Sequence, residues 1–242
     1  MSLLYKMQKN KIVFLIRAYN EATRIPSVIE GIFHAWFTEI LVIDDGSTDN
    51  TALLLESLIW NSKIHYLRHI TNRGAWAALE TGFSFIRANA EQYNWKYLVT
   101  FDADWQHDIW DMDRFITAFK KDESLDVVLG SRFIEKTNSN VPFLRKITLF
   151  WGRLFTSLVS WVHLTDAHHG YRMFRVETLK NIHITMDGME YASELIDQIG
   201  KNKFKFIEVP VNIHYDSYSL GKWQRYGWAI RIVLRMLYKK LF

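Results

Sequence analysis

The 242-residue sequence contains no cysteine, so it excludes both a disulfide framework and a metal site built from thiolates. A chain without cysteine also suits the reducing cytosol. The first residues, MSLLYKMQKNK, lack the apolar core and the small-residue cleavage site of a secretory leader. We therefore predict a cytoplasmic protein.

Long uncharged apolar runs are also missing. A helix needs about 20 consecutive apolar residues to cross a bilayer, and the longest candidate stretch, 154–164, is much shorter. A membrane-spanning helix is therefore not expected. No Gly-x-Gly-x-x-Gly fingerprint follows the first predicted strand either, which argues against a dinucleotide-binding dehydrogenase.

Acidic residues are absent from the last part of the chain. Residues 217–242 contain six Lys and Arg and no Asp or Glu, whereas the preceding residues carry a net charge of −2. Over 226–242 the apolar residues recur at i, i+3, i+4 and three cations form an i, i+4, i+8 stripe, which predicts an amphipathic helix. Such a helix suits an anionic membrane surface or a small membrane protein. The alternative is that the apolar stripe packs on the rest of the chain. No nucleic-acid-binding motif accompanies the cations, so we expect no nucleic-acid partner.

Predicted strands and helices alternate regularly over residues 1–135, which indicates an α/β domain. The predicted strands are 11–17, 39–45, 63–68, 97–101 and 125–132, and the predicted helices are 21–35, 51–60, 75–90 and 111–121. Beyond them we predict an interfacial helix or helix pair at 143–164, a polar segment at 165–175, a helix at 191–199 and a strand at 205–214. Pro210 favours an edge position for that last strand.

Carboxylates gather where two of the predicted strands end. Strand 97–101 is followed by Asp102 and Asp104, and strand 39–45 ends in Asp44 and Asp45. Two carboxylates spaced i, i+2 can both reach one divalent ion, and Mg2+ and Mn2+ prefer such oxygen ligands. Ligands of open α/β sheets bind at this end of the strands. The pattern predicts a metal-assisted site there, with the nearby histidines His107, His168 and His169 as polar loop residues.

Seven segments occur in an order typical of one enzyme family. They are AYNE (18–21), DDGSTDNT (44–51), NRGAWAALETG (72–82), DADWQH (102–107), GSR (130–132), TDAHHGYRMFR (165–175) and IEVPV (207–211). Together they resemble the family 2 glycosyltransferases, and within them the dolichyl- and polyprenyl-phosphate sugar transferases. The resemblance implies the GT-A nucleotide-sugar-binding fold, a Rossmann-like mixed sheet. It also implies transfer of a sugar from a nucleotide diphosphate with inversion. We expect residues 1–216 to form this catalytic domain and 217–242 to form a basic amphipathic segment.

The resemblance also assigns roles to individual residues on the donor side. Tyr19, Glu21, Asp44 and Asp45 would hold the base and ribose of a nucleotide-sugar donor. The full donor-binding set is Ala18, Tyr19, Glu21, Asp44, Asp45, Gly74, Asp102, Ala103 and Asp104. The ligands of Mg2+ or Mn2+ against the diphosphate would be Asp102, Asp104 and Gln106. Arg132 would assist catalysis as a second cation on the phosphates.

Two acceptors remain open. A polyprenyl phosphate is already ionised near neutral pH and needs cations rather than a base. The candidates are Arg145, Lys146 and Arg172, with Tyr215 and Lys222 closing over the phosphates. A sugar hydroxyl on a lipid-linked or cell-surface glycan needs a carboxylate base, for which Glu194 or Glu190 is the candidate. A third hypothesis is a catalytically idle sugar-nucleotide-binding subunit of a membrane complex, against which the intact acids argue.

Some positions depart from the family's usual pattern. Arg17, Trp105 and His169 stand where the family commonly has Pro, Gly and Ser. The segment YDSYSLGKWQ (215–224) replaces the Arg-x-x-Gly-x-Ser-Lys pattern of the mannosyl branch. This resembles bacterial cell-surface polysaccharide enzymes and favours a UDP-sugar over GDP-mannose. We expect an enzyme bound peripherally to the inner face of the cell membrane.

Removing residues 224–242 tests the predicted membrane contact. Each cation near an anionic surface adds on the order of 1 kcal/mol, so the truncated protein should move from the membrane fraction to the soluble fraction. Sedimentation of both forms with cell membranes measures this. Identical fractionation of the two forms would contradict the prediction.

Overall fold

The computed structural model describes residues 9–61, 63–104, 106–134, 162–167, 169–186 and 188–213. The strands within these ranges are β1 (Ile12–Ala18), β2 (Glu39–Asp44), β3 (Ile64–Arg68), β4 (Tyr97–Asp102), β5 (Val127–Ser131), β6 (Arg172–Arg175) and β7 (Phe206–Pro210). The α-helices are α1 (Ile25–His34), α2 (Thr51–Glu56), α3 (Ala75–Asn89), α4 (Met112–Lys121) and α5 (Tyr191–Lys201). Short 3-10 turns lie at Ile109–Asp111, Val176–Asn181 and Gly188–Glu190.

All seven strands join one mixed sheet in the order β3-β2-β1-β4-β6-β5-β7. Strands β1 to β4 pair in parallel, β5 and β7 also pair in parallel, and β6 runs antiparallel to both of its neighbours. Strands β1 and β2 are buried almost throughout, as expected for parallel strands that are covered on both faces. The predicted α/β class is confirmed.

Helices cover both faces of the sheet and form two hydrophobic cores. Successive residues of a strand point to opposite faces, so Phe14 and Ile16 of β1 pack with α1 and α4, whereas Val13 and Leu15 pack with α3 and α5. The two cores hold β1, β2 and β4 in place, and β2 and β4 end in Asp44 and Asp102, two of the acids singled out in the sequence.

The structure differs from the predicted elements at α1, α2, β6 and β7, and β7 ends at Pro210 rather than at residue 214. Helix α1 begins at Ile25 rather than at residue 21, because the chain first turns at Glu21, whose carbonyl accepts the amides of Arg24 and Ile25. Helix α2 ends at Glu56 rather than near residue 60. Strand β6 lies inside the segment predicted to be polar and irregular, because a four-residue strand with arginine at both ends has little apolar periodicity. The edge position of β7 and its Pro210 is confirmed.

Some predictions concern residues outside the described ranges. These are the interfacial helix at 143–164, apart from its last residues, and the basic segment at 217–242. Both stay predictions. Among the described residues, the helices are all too short or too polar to cross a bilayer.

Gly82 allows α3 to approach β1 closely. A Cβ atom at this position would overlap the side chain of Leu15 and would lie 2.6 Å from its Cδ2. Leu15 is fully buried, so its side chain has little room to move away. The close contact between helix and sheet therefore requires glycine at residue 82.

Gly82→Ala should destabilise the protein although alanine favours helix. Overpacking a core costs about 1–3 kcal/mol, whereas the gain in helix propensity is about 1 kcal/mol. Urea unfolding of the full chain should show a net loss, and Ser84→Ala on the exposed side of α3 should change stability by less than about 0.5 kcal/mol. An unfolding free energy for Gly82→Ala that equals or exceeds the wild-type value would contradict the predicted contact.

Candidate active site

The carboxyl ends of β1, β2 and β4 meet at one edge of the sheet. Pairing places Ala18 opposite Asp44 and Arg17 opposite Asp102. Tyr19, which follows the last residue of β1, is 43% exposed at this edge. The sheet therefore brings together the acids that the sequence analysis assigned to donor and metal binding.

The loops that follow β1 and β2 are joined into one wall. Asn20 has a left-handed backbone, with φ 56°, and its Oδ1 accepts the Thr48 amide at 2.8 Å. The Asn20 amide donates to the Ser47 hydroxyl at 2.9 Å. The Glu21 amide donates to the Thr51 hydroxyl, also at 2.9 Å. These bonds fix the backbone on which the predicted nucleotide-binding residues stand, and Glu21 itself is buried.

Asp44 is completely buried and forms internal contacts. Its Oδ1 accepts the Ser47 amide at 2.8 Å, and its Oδ2 accepts the Tyr66 hydroxyl at 3.2 Å. The Arg68 Nε lies 3.4 Å from the same Oδ2. These contacts shape the turn after β2, and a nucleotide-binding role for Asp44 stays a prediction.

Asp45 holds the loop that leads into α3. Its Oδ1 lies 2.6 Å from Nδ1 of His69 and accepts the Arg73 amide at 2.9 Å, and its Oδ2 accepts the Gly74 amide at 2.7 Å. The other ring nitrogen of His69 lies 2.9 Å from the Thr81 hydroxyl of α3. The predicted donor-binding residues Asp45 and Gly74 are thus brought together. Sequence reasoning missed His69, because no motif marks a single histidine after a strand.

Asp102 ends β4 and is held by partners on both carboxylate oxygens. Arg17 of β1 forms a salt bridge with Oδ1, and the His107 Nε2 lies 3.1 Å from Oδ2. Burial favours the neutral acid, but Arg17 and His107 outweigh it and hold the pKa of Asp102 well below its usual value. Gly170 packs against this carboxylate, since a Cβ there would lie 2.8 Å from Oδ2. Asp102 is therefore a fixed anion.

Asp104 has a different environment. Within the described residues its carboxylate accepts one hydrogen bond, from the Gln106 amide at 3.3 Å. Burial, and then the charge of Asp102, raise the pKa of Asp104 to about 6. The chain is anchored here because Ala103 is buried and Arg24 donates to the Asp104 carbonyl at 2.9 Å. A cation beside Asp104 would relieve the repulsion that raises this pKa.

The donor set fits a hard divalent ion that also binds a substrate. Asp104 and Gln106 offer a carboxylate and an amide oxygen, and both are half-buried at the sheet edge. Across the described ranges, His, Asp and Glu form no group of three that could hold a metal ion without other ligands. Mg2+ is usually bound through one or two carboxylates together with substrate phosphates, so this sparse set fits such an ion.

Two arginines and a tyrosine form a cluster on the α5 face of the sheet, which we call the arginine cluster (Arg17, Arg172 and Tyr191). The Arg17 Nη1 donates to the Tyr191 hydroxyl at 2.8 Å. Arg172, at the start of β6, is only 4% exposed. Within the described residues its guanidinium makes one hydrogen bond, to the Ala167 carbonyl at 3.2 Å. Burial, and also the charge of Arg17, lower the pKa of Arg172.

Arg132 forms a buried ion pair with Asp166. Its Nε and Nη2 donate to the two oxygens of Asp166 at 2.6 and 2.7 Å, and its amide donates at 3.2 Å. Burial opposes ionisation of Asp166, but Arg132 lowers the pKa of that carboxyl to about 2. The predicted second cation is therefore already paired, and its phosphate role stays a prediction.

Glu194, the predicted base for a hydroxyl acceptor, is 7% exposed. Its Oε1 accepts the Thr185 hydroxyl at 2.6 Å, and its Oε2 accepts the amides of Thr185 and Met186 at 2.9 and 2.8 Å. Both oxygens thus hold the loop before α5. The alternative base, Glu190, is buried as well. A base role for either residue stays a prediction.

Two histidines predicted as polar loop residues are buried instead. His107 and His169 lie beside Tyr171, with their ring centroids 5.2 Å apart. The His169 Nδ1 accepts the Tyr171 amide at 3.0 Å, and burial lowers the pKa of His169 well below its usual value. Both residues lie outside the helices and strands, as predicted for loop residues, but the sequence did not reveal their burial among aromatic neighbours. Outside the described residues lie Trp105, Arg145, Lys146, His168, Tyr215 and Lys222.

Comparisons with known proteins place this geometry in context. The family model described as Glycosyl transferase family 2 matches residues 13–182. An uncharacterized protein of Methanocaldococcus jannaschii is 30% identical over 100% of this chain and 97% of its own length. The UDP-N-acetylglucosamine–dolichyl-phosphate N-acetylglucosaminyltransferase of Methanococcus voltae is 29% identical over 96% of this chain and 97% of its own length.

A solved structure shares the fold. Glucosyl-3-phosphoglycerate synthase from Mycobacterium tuberculosis superposes with a TM-score of 0.67 at 17% identity, covering 96% of this chain and 81% of that one. The expected GT-A fold is confirmed.

Asp166→Asn should destabilise the protein strongly, because it removes the carboxylate charge that pairs with the buried Arg132. Breaking a buried pair on one side costs about 3–5 kcal/mol. The folded pKa of about 2 lies below the unfolded value of about 3.9. The contribution of Asp166 is therefore present above about pH 4 and is lost as pH falls towards about 2.

Urea unfolding between pH 7 and pH 2 tests this expectation. Asp166→Asn should flatten the pH dependence of the unfolding free energy below about pH 4. The control is Asp197→Asn, which removes a surface pair with Lys201 and should cost about 0–1 kcal/mol. Equal losses in the two variants would contradict the assignment of a buried pair.

Proposed function

The chain belongs to glycosyl transferase family 2, and from that premise we propose that it moves a sugar, with inversion, from a nucleotide diphosphate to a polyprenyl phosphate. The Methanococcus voltae relative is named for transfer to dolichyl phosphate, a lipid of this class. Its similarity extends over nearly the whole length of both chains. The family is therefore given, and the proposal concerns which donor and which acceptor the enzyme uses.

The state of Arg172 carries the choice of acceptor. Its guanidinium is buried at 4% exposure, and in the described part of the chain it bonds only to a main-chain carbonyl. A buried guanidinium with unused donors is costly unless an anion completes its bonding. Because the planar fork of arginine matches phosphate oxygens, Arg172 is the residue that would bind the phosphate of a lipid acceptor.

A phosphate acceptor also fits the bonding of Glu194. The oxygen of a lipid phosphate is ionised near neutral pH, so it attacks the sugar carbon without a general base. A hydroxyl acceptor would need a carboxylate to take its proton. Both oxygens of Glu194 already accept hydrogen bonds from Thr185 and Met186, which leaves the phosphate acceptor as the better match.

We propose that Asp104 and Gln106 hold Mg2+ or Mn2+ on the donor diphosphate. When bound, the ion would stabilise the negative charge that the leaving group gains. Asp104 fits this role because its carboxylate is half-buried at the sheet edge and accepts only one hydrogen bond among the described residues. Asp102 is bonded to Arg17 and His107, and these bonds hold the end of β4 in place.

The proposal also names the donor and the location of the enzyme in the cell. A UDP-sugar is favoured by the 215–224 segment and by the name of the Methanococcus voltae relative. The loops that Asn20 and Asp45 hold in place would support the nucleotide, and Tyr19 is exposed beside them. Because the acceptor is a membrane lipid, we place the enzyme peripherally on the inner face of the cell membrane, attached through residues 217–242.

A transfer assay tests the proposal. It contains labelled UDP- and GDP-sugars, polyprenyl phosphate in detergent, and Mn2+ or Mg2+. Label should enter the organic phase with the wild-type enzyme and fall at least about 100-fold with Asp104→Asn. Arg172→Gln should lower kcat/KM for polyprenyl phosphate roughly 10- to 100-fold through lost charge-assisted bonds, and Arg172→Lys should lose less.

Two further variants separate the alternatives. Arg175→Gln removes an arginine at the other end of β6, where it bonds to the Leu125 and Glu123 carbonyls, and should keep kcat/KM near the wild-type value. Glu194→Gln should likewise retain transfer if it folds. The lipid-phosphate proposal fails if label stays in water until a glycan is added and Glu194→Gln then abolishes transfer. It also fails if no acceptor supports turnover, which would favour an idle subunit.

A further inference from the structure

Arg17 lies on a central strand of the sheet, immediately beside the aspartate that ends β4, which is an unusual place for a cation. Parallel pairing of β1 with β4 sets it directly opposite Asp102. Its side chain is 13% exposed, and that of Asp102 is 32% exposed. The sequence analysis noted it only as a departure from the proline common in the resembled family, so no role has been assigned to it.

Both oxygens of Asp102 already have a partner. Oδ1 is bonded by Arg17 and Oδ2 by His107, while Gly170 packs against the second oxygen. Asp102 therefore resembles the inner member of a salt-bridge network rather than an available metal ligand. The carboxylate of Asp104, two residues on, accepts only the Gln106 amide among the described residues.

Tyr191 fixes the direction of Arg17. Its hydroxyl accepts from Nη1 at 2.8 Å, and its ring centroid lies 5.5 Å from the guanidinium carbon. The planar guanidinium thus bonds Asp102 with one nitrogen and Tyr191 of α5 with another. A lysine ammonium has one nitrogen and cannot reproduce this fork, although it can supply the positive charge.

We propose that Arg17 is a positioning residue that withholds Asp102 from metal binding, so that the divalent ion is held by Asp104 and by the donor diphosphate. The inference rests on the metal dependence within the proposed function. With one carboxylate instead of two, the free protein binds the ion weakly. Asp104 and Gln106 would therefore hold the ion mainly while the donor diphosphate supplies the remaining oxygen ligands.

Titration of Mn2+ alone, followed by electron paramagnetic resonance, tests the proposal without donor or acceptor. Arg17→Gln frees the Asp102 carboxylate beside Asp104, and affinity for such ions rises with the number of ligand charges. We expect it to bind Mn2+ about fivefold or more tightly than the wild type. The double variant Arg17→Gln/Asp102→Asn should lose that gain, Arg17→Lys should stay near the wild-type Kd, and the remote Arg175→Gln should match the wild type.

Steady-state kinetics give a second readout. In Arg17→Gln the Mn2+ concentration for half-maximal transfer should fall while kcat also falls, because the ion is held away from the donor. A purely structural role for Arg17 would weaken Mn2+ binding and lower kcat together. An unchanged or weaker Mn2+ Kd in Arg17→Gln, with circular dichroism showing a folded protein, would overturn the proposal.

The metal titration and the acceptor assay fail separately. If the wild type transfers sugar to no lipid phosphate but Arg17→Gln binds Mn2+ more tightly, the acceptor is wrong and the role of Arg17 stands. If lipid transfer occurs and the Mn2+ affinity of Arg17→Gln does not rise, the role of Arg17 is wrong and the acceptor stands. If Arg17→Gln does not fold, Arg17→Met takes its place, because it keeps an unbranched side chain and removes the charge; an unchanged or weaker Mn2+ Kd in that variant would overturn the proposal.

Discussion

The parallel pairing of β1 with both β2 and β4 is the constraint on which the site depends. It aligns three carboxyl ends at one sheet edge and sets Ala18 beside Asp44 and Arg17 beside Asp102. The same pairing creates an electrostatic problem, because several carboxylates are brought out of water close together. Isolated buried charges are unfavourable unless they are paired or bonded, so each acid needs its own partner.

Each carboxylate meets that need differently. Asp44 and Asp45 accept hydrogen bonds from the turns that they shape, and Asp102 is paired with Arg17 and His107. Among these four acids, only Asp104 has no arginine or histidine within ion-pair distance in the described residues. Burial, followed by the charge of Asp102, raises its pKa. A divalent ion on the donor diphosphate would supply a positive charge next to the Asp104 carboxylate.

Sequence patterns predicted the elements whose burial is continuous, because β1, β2 and β4 are largely apolar runs, and β2 and β4 end in aspartate. They missed β6, which is short and bounded by arginines. The acids and Arg172 could be found from motifs. Their partners could not, because the salt bridge from Arg17 depends on cross-strand register, and the bonds of Glu194 depend on a loop whose path no local pattern specifies.

The chemical linkage in the lipid product tests the central claim most directly. Mass spectrometry of the organic phase should show polyprenyl phosphate enlarged by one sugar residue, with the sugar joined to phosphate and released by mild acid. A product in which the sugar is joined to a hydroxyl, with the phosphate oxygen unsubstituted, would contradict the account. In that case Arg172 would not bind the attacking group, and a base would have to be sought near Glu194.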